Sequence, residues 1–237
     1  MKSKKACILV EFNGVAGTGK TTISKSLLSQ NKNFLKKYVD YQEYLKYYTN
    51  RSRLKKIIWF LGQIYRPLNL KFTFYTLLFI LSVGNITKDK LYRGFSLIKT
   101  YMHYNNLCKN NKGDIIIIDQ GIIQQIISIL YLDESKELKQ VNKMLVHMKN
   151  SLNITFINTN LDVNENINRI GQREYKFSRL DFMDESNAYM AVTIQEKNHD
   201  KIRQAISEIK INYLNINTSL DVEHNTRIIN EEIGKLV

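Results

Sequence analysis

Cysteine and proline are almost missing from this chain: Cys7, Cys108 and Pro67 are all it has in 237 residues. Cys7 falls inside an apolar run of strand length, so a disulfide framework is not expected and a reducing cytoplasm suits the chain. The four histidines, His103, His147, His199 and His224, are scattered. No spacing joins them to the cysteines as a metal cluster or to a nucleophile as a catalytic pair. A membrane span takes about 20 apolar residues. Phe72 to Val83 is shorter than that, and the longer run from Ile57 to Val83 is broken by Gln63, Arg66, Pro67, Asn69 and Lys71. The basic-then-apolar start MKSKKACILV looks like a secretion signal, but it leads directly into the motif below, which cleavage would destroy. With no repeat and no linker, residues 1–237 are expected to form one domain.

Acidic residues are scarce in the first half. Residues 1–113 carry 21 Lys+Arg and 4 Asp+Glu, a balance of +17, while residues 114–237 carry 14 and 18, a balance of −4. Between Glu11 and Asp89 the only acids are Asp40 and Glu43. The asymmetry fits an anionic partner (a nucleotide, a nucleic acid or a membrane surface) or a plain solvated basic face.

What the chain does have is a phosphate loop. Gly14, Val15, Ala16, Gly17, Thr18, Gly19, Lys20, Thr21 and Thr22 contain G-x-x-x-x-G-K-[ST] between an apolar strand, Ala6 to Phe12, and a helix pattern, Ile23 to Leu28. Glycines let several backbone N–H groups point at one phosphate, and a helix N-terminus adds its dipole. Lys20 supplies a point charge, and the Thr21 hydroxyl is a Mg²⁺ ligand. ATP or a similar nucleotide with Mg²⁺ is therefore expected.

A second landmark is DIIIID, residues 114–119, where four isoleucines make a strand buried on both faces. Asp119 ends it, where a Mg²⁺ ligand or catalytic carboxylate belongs. The third is NRIGQREYKFSRLD, residues 168–181. If this stretch is helical, Arg169, Arg173, Lys176 and Arg179 share a face, and guanidinium groups stabilise charge developing on a moving phosphate. Asp40 or Glu43, near the end of a strand expected at Tyr38 to Gln42, can act on an acceptor hydroxyl or merely neutralise nearby lysines. Arg93 and Lys99, on a helix expected over Lys88 to Asn110, can face an acceptor.

The segment Arg51 to Gly84 is basic and then strongly apolar. Pro67 divides it into two helices. These either pack on the domain and cap a substrate cavity or lie on a membrane surface. Residues 51–112 are thus a helical, substrate-side region. Further strands are expected at Leu152 to Ile157 and Ile211 to Ile216, giving a three-layer α/β/α fold around a parallel sheet of about five strands.

These three landmarks resemble the P-loop kinases of the thymidylate kinase and deoxynucleoside kinase group. The resemblance implies phosphoryl transfer from ATP to a nucleoside or nucleoside monophosphate. It implies that Lys20 and Thr21 hold phosphates and Mg²⁺, that Asp119 assists Mg²⁺ or the acceptor, and that residues 168–183 are a lid whose Arg169, Arg173 and Arg179 close over ATP. Thr18 stands where some thymidylate kinases carry a catalytic arginine, so arginines would come from the lid. Gln120 replaces the family's substrate-contacting arginine. The Arg51 to Gly84 insert is similar to inserts of thymidylate-kinase-like proteins of surface-polysaccharide synthesis, which implies a sugar or lipid-linked acceptor as the alternative. An NTPase whose basic half binds nucleic acid is a further reading, although no Asn-Lys-x-Asp motif of the GTPases follows the fourth strand.

Overall fold

The computed structural model describes residues 7–30, 38–40 (backbone only), 62–63, 65–131, 133, 138–174 and 178–236. Five strands form one parallel sheet: β1 (Ile8–Asn13), β2 (Tyr38–Asp40), β3 (Ile115–Ile118), β4 (Ile154–Asn160) and β5 (Asn212–Asn217), in the order β2-β3-β1-β4-β5. The helices are α1 (Lys20–Gln30), α2 (Pro67–Ser82), α3 (Lys88–Asn110), α4 (Ile122–Leu130), α5 (Lys139–Ser151), α6 (Val163–Gly171), α7 (Glu185–Ile209) and α8 (Val222–Lys235), with a 3₁₀ turn at Arg179–Phe182.

Strand alternation sorts the core into two layers. Ile8, Val10, Phe12, Ile115, Ile117, Ile157 and Ile216 pack with Ile23 and Leu27 of α1 and Ile229 and Ile233 of α8. On the other face, Leu9, Ile116, Ile118, Ile154 and Phe156 pack with residues of α3, α4, α5 and α7. This is the expected three-layer arrangement. Strand β1 leads into α1 on one face, and its neighbour β3 leads into α4 on the other. A crevice therefore opens between their carboxyl ends, where parallel α/β sheets bind ligands.

Local signals set the helix boundaries. Asp162, Asp184 and Asp221 cap α6, α7 and α8 by accepting from the first free N–H groups. Pro67 is the first residue of α2, where its missing N–H costs nothing.

Three expectations need correction. Strand β4 runs to Asn160, three residues beyond Ile157, because Asn158, Thr159 and Asn160 still pair with β5. The arginine-rich stretch is not one helix: α6 stops at Gly171, so Arg173 and Arg179 lie beyond it and share no helical face with Arg169. Helix α2 packs on α3 and α5 and does not cap the cavity. Phe72 stacks on Tyr101 at 3.9 Å between ring centres, and the Leu68 carbonyl lies 2.8 Å from His147 Nε2. Lys176 and most of residues 51–64 lie outside the described residues.

Candidate active site

The loop between β1 and α1 holds its shape through its own residues and β4. Gly14, Gly17 and Gly19 have φ of +141°, +100° and +78°, a region that other residues enter only with strain. A Cβ on Gly14 would overlap Thr159, and one on Gly17 would overlap Asn166. The Thr18 hydroxyl lies 2.6 Å from that of Thr159, and their further acceptors are the carbonyls of Val15 and Asn13. Thr18 is fully buried, so its side chain is used in bracing the loop against the sheet, and Val15 likewise turns its side chain into the core.

Lys20 Nζ donates to the carbonyls of Gly14 and Val15, each at 2.8 Å. Burial lowers its pKa to about 8; Asp119 and Glu196 oppose that shift, and Arg173 adds to it. The group is thus largely charged at neutral pH and already aimed along the loop. Behind it, α7 contributes Gln195, Glu196 and His199. Burial first, then Lys20 and Arg203, push His199 down to about 3, so it stands as a neutral imidazole beside the cation.

Thr21 Oγ1 donates to Asp119 Oδ2 at 2.7 Å. The two residues are 98 apart in sequence, and the β1–β3 pairing brings them together. Asp119 Oδ1 is buried with no hydrogen-bond partner. One hydroxyl and one carboxylate oxygen free to ligate are oxygen donors of the kind Mg²⁺ takes, so the residues present fit that ion.

A cavity of about 780 Å³ opens beside Thr21. Ala16, Gly17, Gly19, Lys20, Thr21 and Thr22 line one side. Arg93 of α3, Gln120, Gln124, Gln125 and Ser128 around α4, and Tyr131, Arg173 and Arg179 line the rest. The stretch beyond α6 is pinned to α3 beside it. Arg179 donates to Asp89 Oδ2 at 2.6 Å and stands 4.5 Å over the Tyr131 ring, while Arg93 donates to the same oxygen at 3.0 Å. Burial alone would raise the Asp89 pKa, but the two guanidinium groups outweigh it and hold it below the usual carboxylate value. Arg173 donates to Asp181 at 3.0 Å.

Beneath the wall formed by α4 lies Glu11, fully buried. Its carboxylate accepts from the Ile123 N–H at 2.7 Å and the Tyr104 hydroxyl at 2.8 Å. It therefore caps the start of α4 from β1, where Gly121 offers no side chain to do so. A Cβ on Gly121 would overlap both Tyr104 and Glu11.

With this geometry the chain superposes on known structures. Two structures of a deoxyadenosine kinase from M. mycoides are similar to it: one with the products dCMP and a flexible dCDP, one with dATP. Identities are 14% and 15%, coverage is 97% and 95% of this chain and 100% and 98% of theirs, and the TM-scores are 0.50 and 0.51. A shikimate kinase from Bacteroides thetaiotaomicron aligns over 96% of this chain and 98% of its own, at 12% identity and a TM-score of 0.44. No protein-family profile matches the chain, and no curated protein does. At these identities the likeness speaks to architecture. The fold is that of the P-loop kinases.

Within that fold, the sequence-derived site residues separate into three groups. Loop residues, Gln120, Arg93, Arg173 and Arg179 meet around one cavity, and Asp119 is joined to it through Thr21. Arg169 stands apart, beside the loop's outer flank. It donates to Glu165 at 2.6 Å and to the Thr218 carbonyl at 3.1 Å, and a Cβ on Gly19 would lie 4.0 Å from it. Lys99 is not brought to the cavity: it is exposed, and six residues from Arg93 is about 240° around a helix. Asp40 ends β2 in register with Ile117, but its side chain, like all of Glu43, lies outside the described residues. Sequence reasoning missed Glu11, Asp89, Gln124, Gln125, Tyr131 and Gln195. The two glutamines carried a usable signal, as polar positions in the first turn of an otherwise isoleucine-rich helix that follows β3.

Proposed function

We propose that the protein transfers a phosphoryl group from ATP, with Mg²⁺, to a nucleoside or nucleoside monophosphate, and that residues 1–237 work as one catalytic domain. The observation that carries this reading is the Thr21–Asp119 contact at 2.7 Å, with Asp119 Oδ1 unpartnered, at the mouth of a cavity that has cations on both sides. Loop N–H groups and Lys20 would hold the outer phosphates. Thr21 and Asp119 would hold Mg²⁺, which neutralises charge on the phosphate oxygens when bound. Such a reaction needs little covalent help from the protein; positioning and electrostatic stabilisation do most of it.

The wall opposite the loop supports the acceptor class. Gln120, Gln124 and Gln125 present amide donors and acceptors together, as the edge of a nucleobase requires. Arg93, Arg173 and Arg179 supply the charge an acceptor phosphate or a moving phosphoryl group calls for. Arg169 and the Thr218 turn border the loop on its other side, where the nucleoside portion of ATP would lie.

The test is incubation with γ-labelled ATP and Mg²⁺ against nucleosides, nucleoside monophosphates and sugars. Label in a nucleoside or nucleotide product is the expected result. Label in a sugar alone would replace the acceptor class, and release of free phosphate with every candidate would overturn the kinase reading.

A further inference from the structure

Helix α2 is apolar on both sides. Phe72, Phe79 and Ile80 are buried against α3 and α5. On the opposite side Leu70, Phe74, Leu77 and Leu81 are 55%, 57%, 45% and 64% exposed, and their spacing of four, three and four puts them in one row. Helix α3 adds exposed Leu91, Tyr92 and Phe95. The helices meet where Ile80 lies against Gly94, so Leu81 and Phe95 neighbour a shared contact. Isolated surface leucines are ordinary, but a row continued across two helices is a contiguous patch of the sort that marks an interaction site.

Charge decides what fits the patch. Residues 72–87 carry no charge at all, and basic residues stand at both ends: Arg66 and Lys71 before and Lys88 after, while Lys90 is held by the Val83 carbonyl and Asp133. Residues 62–110 hold seven basic side chains and one acidic one, Asp89, which Arg93 and Arg179 already engage. A second copy seated on this face would set like charges against each other. A surface of anionic lipid would receive them, with the apolar row at the acyl boundary and the lysines at the headgroups. Among the described residues no helix is long and apolar enough to cross a membrane, so a bilayer would meet this element only at its surface.

We propose that the α2–α3 face docks the protein on anionic membrane surfaces. The contact is independent of the reaction proposed above. Flotation of the full-length protein with vesicles of phosphatidylcholine, with and without phosphatidylglycerol, tests it. The protein should float with the anionic vesicles only, less so as salt is raised. Phe74→Asp with Leu77→Asp should lower vesicle binding by about tenfold or more while leaving thermal unfolding near the parent's. If that variant fails to fold, Lys71→Glu with Lys88→Glu should abolish the preference for anionic vesicles. Three results would overturn the proposal: no flotation at low salt, equal binding to neutral vesicles, or a self-association that the Phe74 and Leu77 changes dissolve while the parent ignores vesicles.

Discussion

The two sides of the cavity are built differently. The glycine-rich loop is nine consecutive residues, held by three glycines with positive φ and by the Thr18–Thr159 contact to β4. The opposite wall draws Arg93 from α3, Gln120, Gln124 and Gln125 from around α4, and Arg173 and Arg179 from beyond α6. A triphosphate presents the same oxygens whatever the enzyme, so one local conformation suffices for it. An acceptor has to be recognised by shape and side-chain polarity, which takes residues from several elements. The wall can therefore change its ligand without disturbing the loop. Variants on each side should behave differently.

The largest expected effect lies on the loop side. Lys20→Ala removes the cation held between the Gly14 and Val15 carbonyls. The value of kcat/KM should fall by about 10³, roughly 4 kcal/mol, whichever acceptor is used. Stability should change little, because a buried ammonium whose pKa burial has lowered to about 8 is lost along with its hydrogen bonds. Steady-state kinetics with two acceptors check this. A loss that depends on the acceptor would mean that the two sides are not separable.

Next comes the residue that joins the sides. Glu11 belongs to β1, yet its carboxylate caps α4. Burial raises its pKa from 4.5 to about 7 against the opposing hydrogen bonds from Ile123 and Tyr104. The folded state thus holds this proton more tightly than the unfolded chain. Its contribution to stability is full below pH 4.5 and is lost as pH rises to about 7. The amount is on the order of 3 kcal/mol. Glu11→Gln should remove that part of the pH dependence, matching the parent near pH 4 and exceeding it at pH 8. Urea unfolding across that range measures the difference between the two proteins. A constant difference would show that Glu11 does not titrate in this window.

The same contrast separates what is legible in the amino-acid sequence from what is not. The loop, the buried strand ending in Asp119 and the helix from Lys88 to Asn110 are all legible, because each depends on neighbours in sequence. The polar end of β4 is not: Asn158, Thr159 and Asn160 read as loop, yet Thr159 braces the phosphate loop. The lid arginines stand out as residues, but their spacing suggests a helical face that the end of α6 at Gly171 removes. Gln124 and Gln125 stand out as polar positions in an isoleucine-rich helix, but only the sheet order places that helix beside the loop. Asp89 signals locally only its pairing with Arg93, four residues on; its second partner, Arg179, is 90 residues away and cannot be read from spacing.

The smallest expected effects lie on the acceptor side, and a pair of helix α3 variants sharpens them. Arg93 lines the cavity and shares Asp89 with Arg179, whereas Lys99 points elsewhere on the same helix. Arg93→Ala should raise the acceptor KM by about tenfold, near 1.4 kcal/mol, with the KM for ATP unchanged within about twofold. Lys99→Ala should leave both constants within about twofold of the parent, since it removes an exposed charge that touches no part of the cavity. The pair controls for net charge and for position on one helix, so only the direction of the side chain differs. Equal effects from the two would mean that bulk positive potential, rather than a built wall, attracts the acceptor. An Arg93 effect confined to ATP would move the acceptor away from this wall, to the outer flank of the loop where Arg169 and the Thr218 turn lie.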